Sequence, residues 1–314
     1  MSTAFLADPI YREHLAGVTG HPERPERFDA VLHAVEQSAV APRLTRIPSR
    51  DVTEDELLLC HTPDYLALAR RDVESGRPYL STGDTDVTPN SWDVASRAAG
   101  GVLNAVDAVM SGGARNAFCA VRPPGHHANA TRGMGFCLFN NIAIAARYAQ
   151  RKYRISRALI VDWDVHHGNG TQDIFYSDPS VFFFSTHQWP LYPGTGRANE
   201  TGEGAAQGTT MNVPLPAGSG RAEILGAIQD SLLPRASDYK PELVLISAGF
   251  DSRIGDLLGQ FTLTDDDFAD LTRAIMEIAD HSAGGRIVSV LEGGYNLSGL
   301  ASAAARHVET LHTP

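Results

Sequence analysis

Two hydrophobic rhythms alternate along this chain. Short contiguous apolar runs, rich in Val, Ile and Phe and bounded by Gly, Pro or Asn, predict buried strands at 116–121, 157–165, 181–185, 211–215, 243–248 and 286–291. Between them, apolar positions recur every three to four residues. Phe28, Val31, Leu32 and Val35 make one such face within 25–37, and 91–110, 141–151, 222–233, 265–279 and 297–311 repeat the spacing of amphipathic helices. Thr264, followed by Asp265, Asp266 and Asp267, reads as a helix N-cap with acids in the first turn. Strand–helix alternation predicts an α/β fold: a mostly parallel open sheet flanked by helices on both faces. No repeat or linker interrupts it, so residues 1–314 are expected to form one domain.

In open parallel sheets ligands bind in the crevice at the carboxyl ends of the strands, so the residues just past each strand are informative. Here Val121 is followed by Arg122-Pro123-Pro124-Gly125-His126-His127, and the run from 157 ends in Asp162-Trp163-Asp164-Val165-His166-His167-Gly168-Asn169-Gly170. Ser185-Thr186-His187, Ser247-Ala248-Gly249-Phe250-Asp251 and Glu292-Gly293-Gly294-Tyr295 close three more. Asp162, Asp164 and His166 alternate at period two and share one face if the segment stays extended. A carboxylate and an imidazole two apart, with Asp251 from a neighbouring strand end as the second carboxylate, suit a catalytic zinc with open coordination. A solvated surface run is the competing reading of that short motif. His126 and His127 fit further ligands, a chance surface pair, a structural hydrogen-bonded cluster or an acid–base pair. The last is preferred because the Asp/His set already makes a three-ligand site. Asp162 and Asn169 are the local groups able to fix their tautomers. Tyr295, on a glycine turn, is either packing or a phenolic donor to a developing oxyanion.

Composition narrows the classes. The 314 residues are 43% hydrophobic and 20% charged, which excludes a disordered or fibrous chain. A net charge of −11 disfavours direct nucleic-acid binding. No apolar stretch approaches the roughly 18 residues of a membrane span, and the first residues carry no basic, apolar secretory pattern. Cys60, Cys119 and Cys137, odd in number and far apart, read as free thiols, so a cytoplasmic location is expected.

Taken together, Arg122–Ala128, Gly133-x-Gly135-Phe136-Cys137-x-Phe139-Asn140-Asn141, Asp162–Gly170, Ser247–Asp251 and Glu292–Tyr295 occur in the order found in the zinc-dependent histone deacetylase superfamily. The chain resembles its class II branch and the bacterial deacetylase-like amidohydrolases, and His21–Arg27 resembles an N-terminal loop of that branch. The resemblance implies an arginase/deacetylase-like fold, zinc on Asp164, His166 and Asp251, His127 as general base, and His126 as its proton-transfer partner. It further implies Asp162 holding His126, Asn169 holding His127, and Tyr295 polarising the acyl carbonyl. Gly135, Phe136 and Tyr192 would line an acyl-lysine tunnel, Tyr192 standing where many members carry Phe. Asp84 would be the rim carboxylate, with Asp86 as competitor. One potassium ion would use Asp162, Asp164, His166, Ser185 and Thr186, and a second Phe175, Asp178 and Val181.

For the substrate, polyamine-preferring relatives carry a Glu gatekeeper where this chain has Leu258, within Gly255-Asp256-Leu257-Leu258-Gly259. The expectation is therefore an acylated lysine of a protein or peptide, with an acetylated polyamine as the alternative. A homo-oligomer is compatible with this reading. A binuclear manganese ureohydrolase is disfavoured by the shortage of further Asp/His ligands. A non-catalytic binding protein is disfavoured by the presence of His126, His127 and Tyr295.

Overall fold

A computed structural model describes residues 2–313. Eight strands are present among them: β1 (Thr3–Leu6), β2 (Thr45–Ile47), β3 (Asn116–Cys119), β4 (Ala158–Asp162), β5 (Val181–Gln188), β6 (Thr210–Leu215), β7 (Leu243–Ala248) and β8 (Ile287–Leu291). They form a single sheet in the order β2-β1-β3-β8-β7-β4-β5-β6, every pairing parallel. The expected parallel α/β sheet is therefore found, with two strands the sequence patterning does not predict. β1 is four residues long, and β2 is three residues with two of them exposed, so neither carries a long enough apolar run to register.

The contiguous apolar runs arise because both faces of the sheet are covered. Successive strand residues feed two separate cores. Ala4, Ala117, Ala158, Ile160, Leu243, Leu245 and Val288 pack on one side with helices 63–74, 91–110 and 141–153. Phe5, Phe118, Leu159, Val161, Val244, Ile246 and Ile287 pack on the other with helices 26–37, 221–239, 265–282 and 297–311. Helices 91–110 and 297–311 match their expected bounds. The expected helix at 222–233 is instead α-helical at Arg221–Gly226, π-helical at Ala227–Leu232 and α-helical again over Leu233–Tyr239. Pro234 withholds an amide donor within that stretch. Helix Pro63–Glu74, capped by Thr62, is not anticipated, although Tyr65, Leu66, Ala69 and Val73 make its buried face. No helix among the described residues is long and apolar enough to cross a membrane. The three cysteines are buried and unpaired.

Several polar groups are sealed inside this frame. Glu23, Arg27 and Arg122 are fully buried and joined: both guanidinium groups donate to the Glu23 carboxylate. Burial pushes the Glu23 acid up, but Arg122 and His14 outweigh it and hold it down at about 2. His14 and His307 are both fully buried. His307 ties two helices to the sheet, its Nδ1 2.6 Å from Thr272 Oγ1 and its Nε2 2.9 Å from Ser289 Oγ. Burial lowers its pKa to about 3.

This burial makes stability depend on pH. With the folded value below the ordinary one, this imidazole favours folding above about pH 6.5, and the contribution falls as pH drops towards 3. Between pH 7.5 and 5, wild type should lose about 2 kcal/mol more stability than His307→Gln, which cannot take up a proton. Urea midpoints at the two pH values measure this. Equal losses in the two proteins would show that His307 does not titrate in this way.

Candidate active site

β3, β8, β7, β4 and β5 are consecutive in the sheet, so five carboxyl ends stand side by side. β4 ends at Asp162, opposite Ser185 of β5 and Ser247 of β7. The expected extended Asp162–His166 segment is not found. Beyond Asp162 the chain folds through two side-chain turns, the Asp164 amide donating to Asp162 Oδ1 (3.1 Å) and the His166 amide to Asp164 Oδ1 (2.9 Å). These turns, rather than strand alternation, aim the side chains. They send Asp162 towards His126 and bring Asp164 together with His166.

Asp164, His166 and Asp251 offer ligand atoms that all lie within 4.8 Å of one another, and all three residues are buried. His166 Nδ1 is 3.1 Å from Asp164 Oδ1 and 3.2 Å from Asp251 Oδ2. Backbone amides fix the other carboxylate oxygens: Val165 N–H donates to Asp251 Oδ1 (2.9 Å), and Gly293 N–H to Asp164 Oδ2 (2.8 Å). Burial raises Asp251 to about 7, with Asp164 adding to the effect. Burial would lower His166, but its two carboxylate neighbours lift it to about 10. Two buried carboxylates converging on one imidazole nitrogen form a site starved of positive charge, and the donor set suits a divalent cation.

The paired histidines stand beside this cluster with rings 4.0 Å apart. His126 Nδ1 is 2.9 Å from Asp162 Oδ2, and His127 Nδ1 is 2.7 Å from Asn169 Oδ1. Asn169 opens a short helix, Asn169–Phe175, that the sequence patterning does not predict. Burial disfavours charge on both rings, but Asp162, Asp164 and Glu292 reverse this at His126 and raise its pKa. At His127 the cationic neighbours His126 and His166 add to burial and lower it. One imidazole therefore keeps its proton, while the other is neutral with Nδ1–H donated to Asn169 and Nε2 left as acceptor. Burial holds the Tyr295 phenol in its protonated form.

A cavity of about 280 Å³ is lined by Asp84, His127, Gly135, Phe136, His166, Leu191, Tyr192, Leu258 and Tyr295. It gathers every residue expected on the tunnel and rim. Gly135 is left-handed (φ 57°), and a Cβ there would fall 2.3 Å from His127 Cδ2. Asp86 pairs with His21 (3.3 Å), and Asp84 is the one on the cavity wall. Of the expected cation residues, Ser185 Oγ lies 2.9 Å from His187 Nδ1, and Thr186 is the next residue of β5. Asp178 pairs with Arg147 and accepts the Ser180 amide, while Phe175 O accepts the Asp178 amide. Val181 N–H reaches Asp178 O at 3.5 Å.

Two groups that act on the site escape the sequence reading. Glu292, fully buried, accepts from the Gly125 and His126 amides (2.7 and 3.2 Å) and from Ser247 Oγ (3.1 Å). Arg27 donates to the carbonyls of Gly294 and Glu292 and lies over the Tyr295 ring. A carboxylate ending an apolar strand was the available signal for Glu292; Arg27 had none beyond its place in a motif.

The sequence model of the histone deacetylase domain matches residues 21–311. The chain belongs to the histone deacetylase family. It is 43% identical to the human polyamine deacetylase HDAC10 over 301 residues, covering 92% of this chain and 44% of that protein. It is 37% identical to a probable deacetylase of Archaeoglobus fulgidus, covering 95% of this chain and 83% of the relative. The crystal structure of the HD domain of HDA15 superposes with a TM-score of 0.93 at 37% identity, covering all of this chain and 90% of that one. The chain spans less than half the length of the mammalian relatives it matches.

Proposed function

We propose that this member of the histone deacetylase family hydrolyses the amide of an acylated lysine side chain in a protein or peptide. The Asp164–His166–Asp251 cluster at the cavity, beside the two histidines and Tyr295, carries the reading. The family implies zinc, and those three residues would hold it. Bound there, the ion supplies Lewis acidity towards an amide carbonyl and acidifies water. The chain's own groups do the rest. His127 Nε2 accepts a proton from the attacking water while Asn169 steadies its other nitrogen. Tyr295 O–H donates to the amide oxygen as charge gathers on it. The hydroxyl adds to the carbonyl carbon, the C–N bond breaks, and the leaving amine takes a proton from the histidine pair. His126 stays charged against Asp162. Phe136 and Tyr192 form aromatic walls for an alkyl chain.

The proposal includes two monovalent-cation sites. One comprises Asp162, Asp164 and Ser185 with the carbonyls of His166 and Thr186. The other lies around Phe175, Asp178 and Val181, and because the Asp178 side chain is engaged by Arg147 and Ser180, it would rest on backbone carbonyls.

An acetylated polyamine is the second reading, supported by the activity for which the mammalian relatives are named. Leu258 stands against it, since it lines the cavity and offers a distal ammonium no charge. The test is kcat/KM of the zinc-loaded protein on an acetyl-lysine peptide and on an N-acetylated polyamine. The peptide is expected to be the better substrate, with about one zinc per chain. A faster polyamine reaction would reverse the substrate order, and no hydrolysis of either would overturn the function.

A further inference from the structure

We propose that Tyr192 is a positioning residue for substrate recognition: with the Gly135 amide it fixes one oxygen of Asp84, leaving the other to receive an N–H of the substrate backbone. The inference rests on the amide-hydrolase reading above and extends it from the reacting group to the part of the substrate outside the tunnel. Tyr192 O–H is 3.3 Å from Asp84 Oδ1, and the Gly135 amide donates to that same oxygen at 2.8 Å. Among the described residues no donor reaches Oδ2. A carboxylate tied through one oxygen cannot rotate freely, so the acceptor at the mouth is set before anything binds. Burial and Asp84 raise the Tyr192 pKa, which keeps the phenol a donor.

The two loops that meet here are anchored independently. On one, Thr82 Oγ1 donates to Gly133 O (2.9 Å) and Thr85 Oγ1 to Cys137 O (3.3 Å). On the other, Thr195 Oγ1 lies 2.8 Å from His167 Nδ1, Gly196 O lies 2.9 Å from His187 Nε2, and Gly196 N–H donates to Glu200. With both ends held, the bridge between positions 84 and 192 is a fixed span across the mouth. The same side chain also serves as wall, its ring perpendicular to His127 at 5.2 Å. Phenylalanine would keep the wall and lose the bridge.

The experiment compares Tyr192→Phe, Asp84→Asn and the double variant with wild type on two substrates: an acetyl-lysine hexapeptide and N-acetylbutylamine, which has no backbone amides. The kcat/KM ratio of peptide to N-acetylbutylamine should fall about fivefold to tenfold in Tyr192→Phe, through the peptide KM rather than kcat. The double variant should be no worse than Asp84→Asn, because both lesions act through the same acceptor. Equal losses on both substrates, a change confined to kcat, or additive losses would overturn the proposal. Anisotropy of a fluorescein-labelled acetyl-lysine hexapeptide, read on metal-free protein, gives a second measure independent of turnover. If wild type hydrolyses neither substrate, the enzymatic reading fails, while weaker peptide binding by Tyr192→Phe would still support the bridge. Equal binding by the two, or none by wild type, would overturn it.

Discussion

His127→Ala is expected to lower kcat/KM on an acetyl-lysine peptide by about 10³-fold while one zinc stays bound. The magnitude is that of a removed general base, about 10² to 10⁴. Several features isolate this loss from a structural one. His127 is outside the Asp164–His166–Asp251 cluster, its ring centroid 6.0 Å from that of His166, so the ligand atoms keep their places. Its backbone lies in a loop held from the far side, where Glu292 accepts the Gly125 and His126 amides. Its one fixed side-chain partner, Asn169, is supported by the helix it opens. Zinc content by plasma emission and activity in one preparation decide the matter. Unchanged turnover would remove His127 from the chemistry, and lost metal would make it part of the ligand field.

What the sequence discloses and what it withholds divide along a physical line. Strands buried on both faces write themselves as apolar runs, and β7 is found with its expected bounds at 243–248. Asp164 and His166 are two residues apart, so local chemistry suffices to suggest that they act together. Their convergence with Asp251 depends on β4 pairing with β7, with Asp162 opposite Ser247, a register no local pattern encodes. The place of Asp251 at a strand's carboxyl end suggests the link, and the family resemblance supports it, where spacing does not. The aim of the Asp162–His166 segment is misjudged for a related reason. Period two assumes a strand, whereas short aspartate side chains bond to amides two residues on and turn the chain. Arg122 and Glu23 are 99 positions apart, and their ion pair is visible only when the fold closes.

Gly293→Ala is expected to weaken zinc binding at least 100-fold and to abolish turnover with it, although no ligand is changed. An added Cβ at 293 would sit 2.0 Å from Asp251 Oδ2, the oxygen that faces His166, and 2.6 Å from Asp164 Oδ2, the oxygen held by the amide of Gly293 itself. The backbone there is not left-handed, so the objection to alanine is space alone. The neighbours cannot give way cheaply. Asp164 Oδ2 accepts the amide of Gly293 itself, Asp251 Oδ1 is tied to Val165 N–H, and both side chains are fully buried. Groups that orient metal ligands from behind typically cost 10- to 100-fold in affinity when altered, and a methyl group inside the carboxylate pair should cost at least that. Titration against a chromogenic chelator measures the affinity, and circular dichroism confirms that the sheet is intact. Wild-type affinity in a folded Gly293→Ala protein would mean that the cation is held elsewhere. The same substitution at Gly255, where only Asn296 Nδ2 lies near at 3.9 Å, meets a left-handed backbone but no ligand, so it should leave zinc affinity unchanged. The contrast separates crowding of the ligands from any general intolerance of glycine replacement at this edge of the sheet.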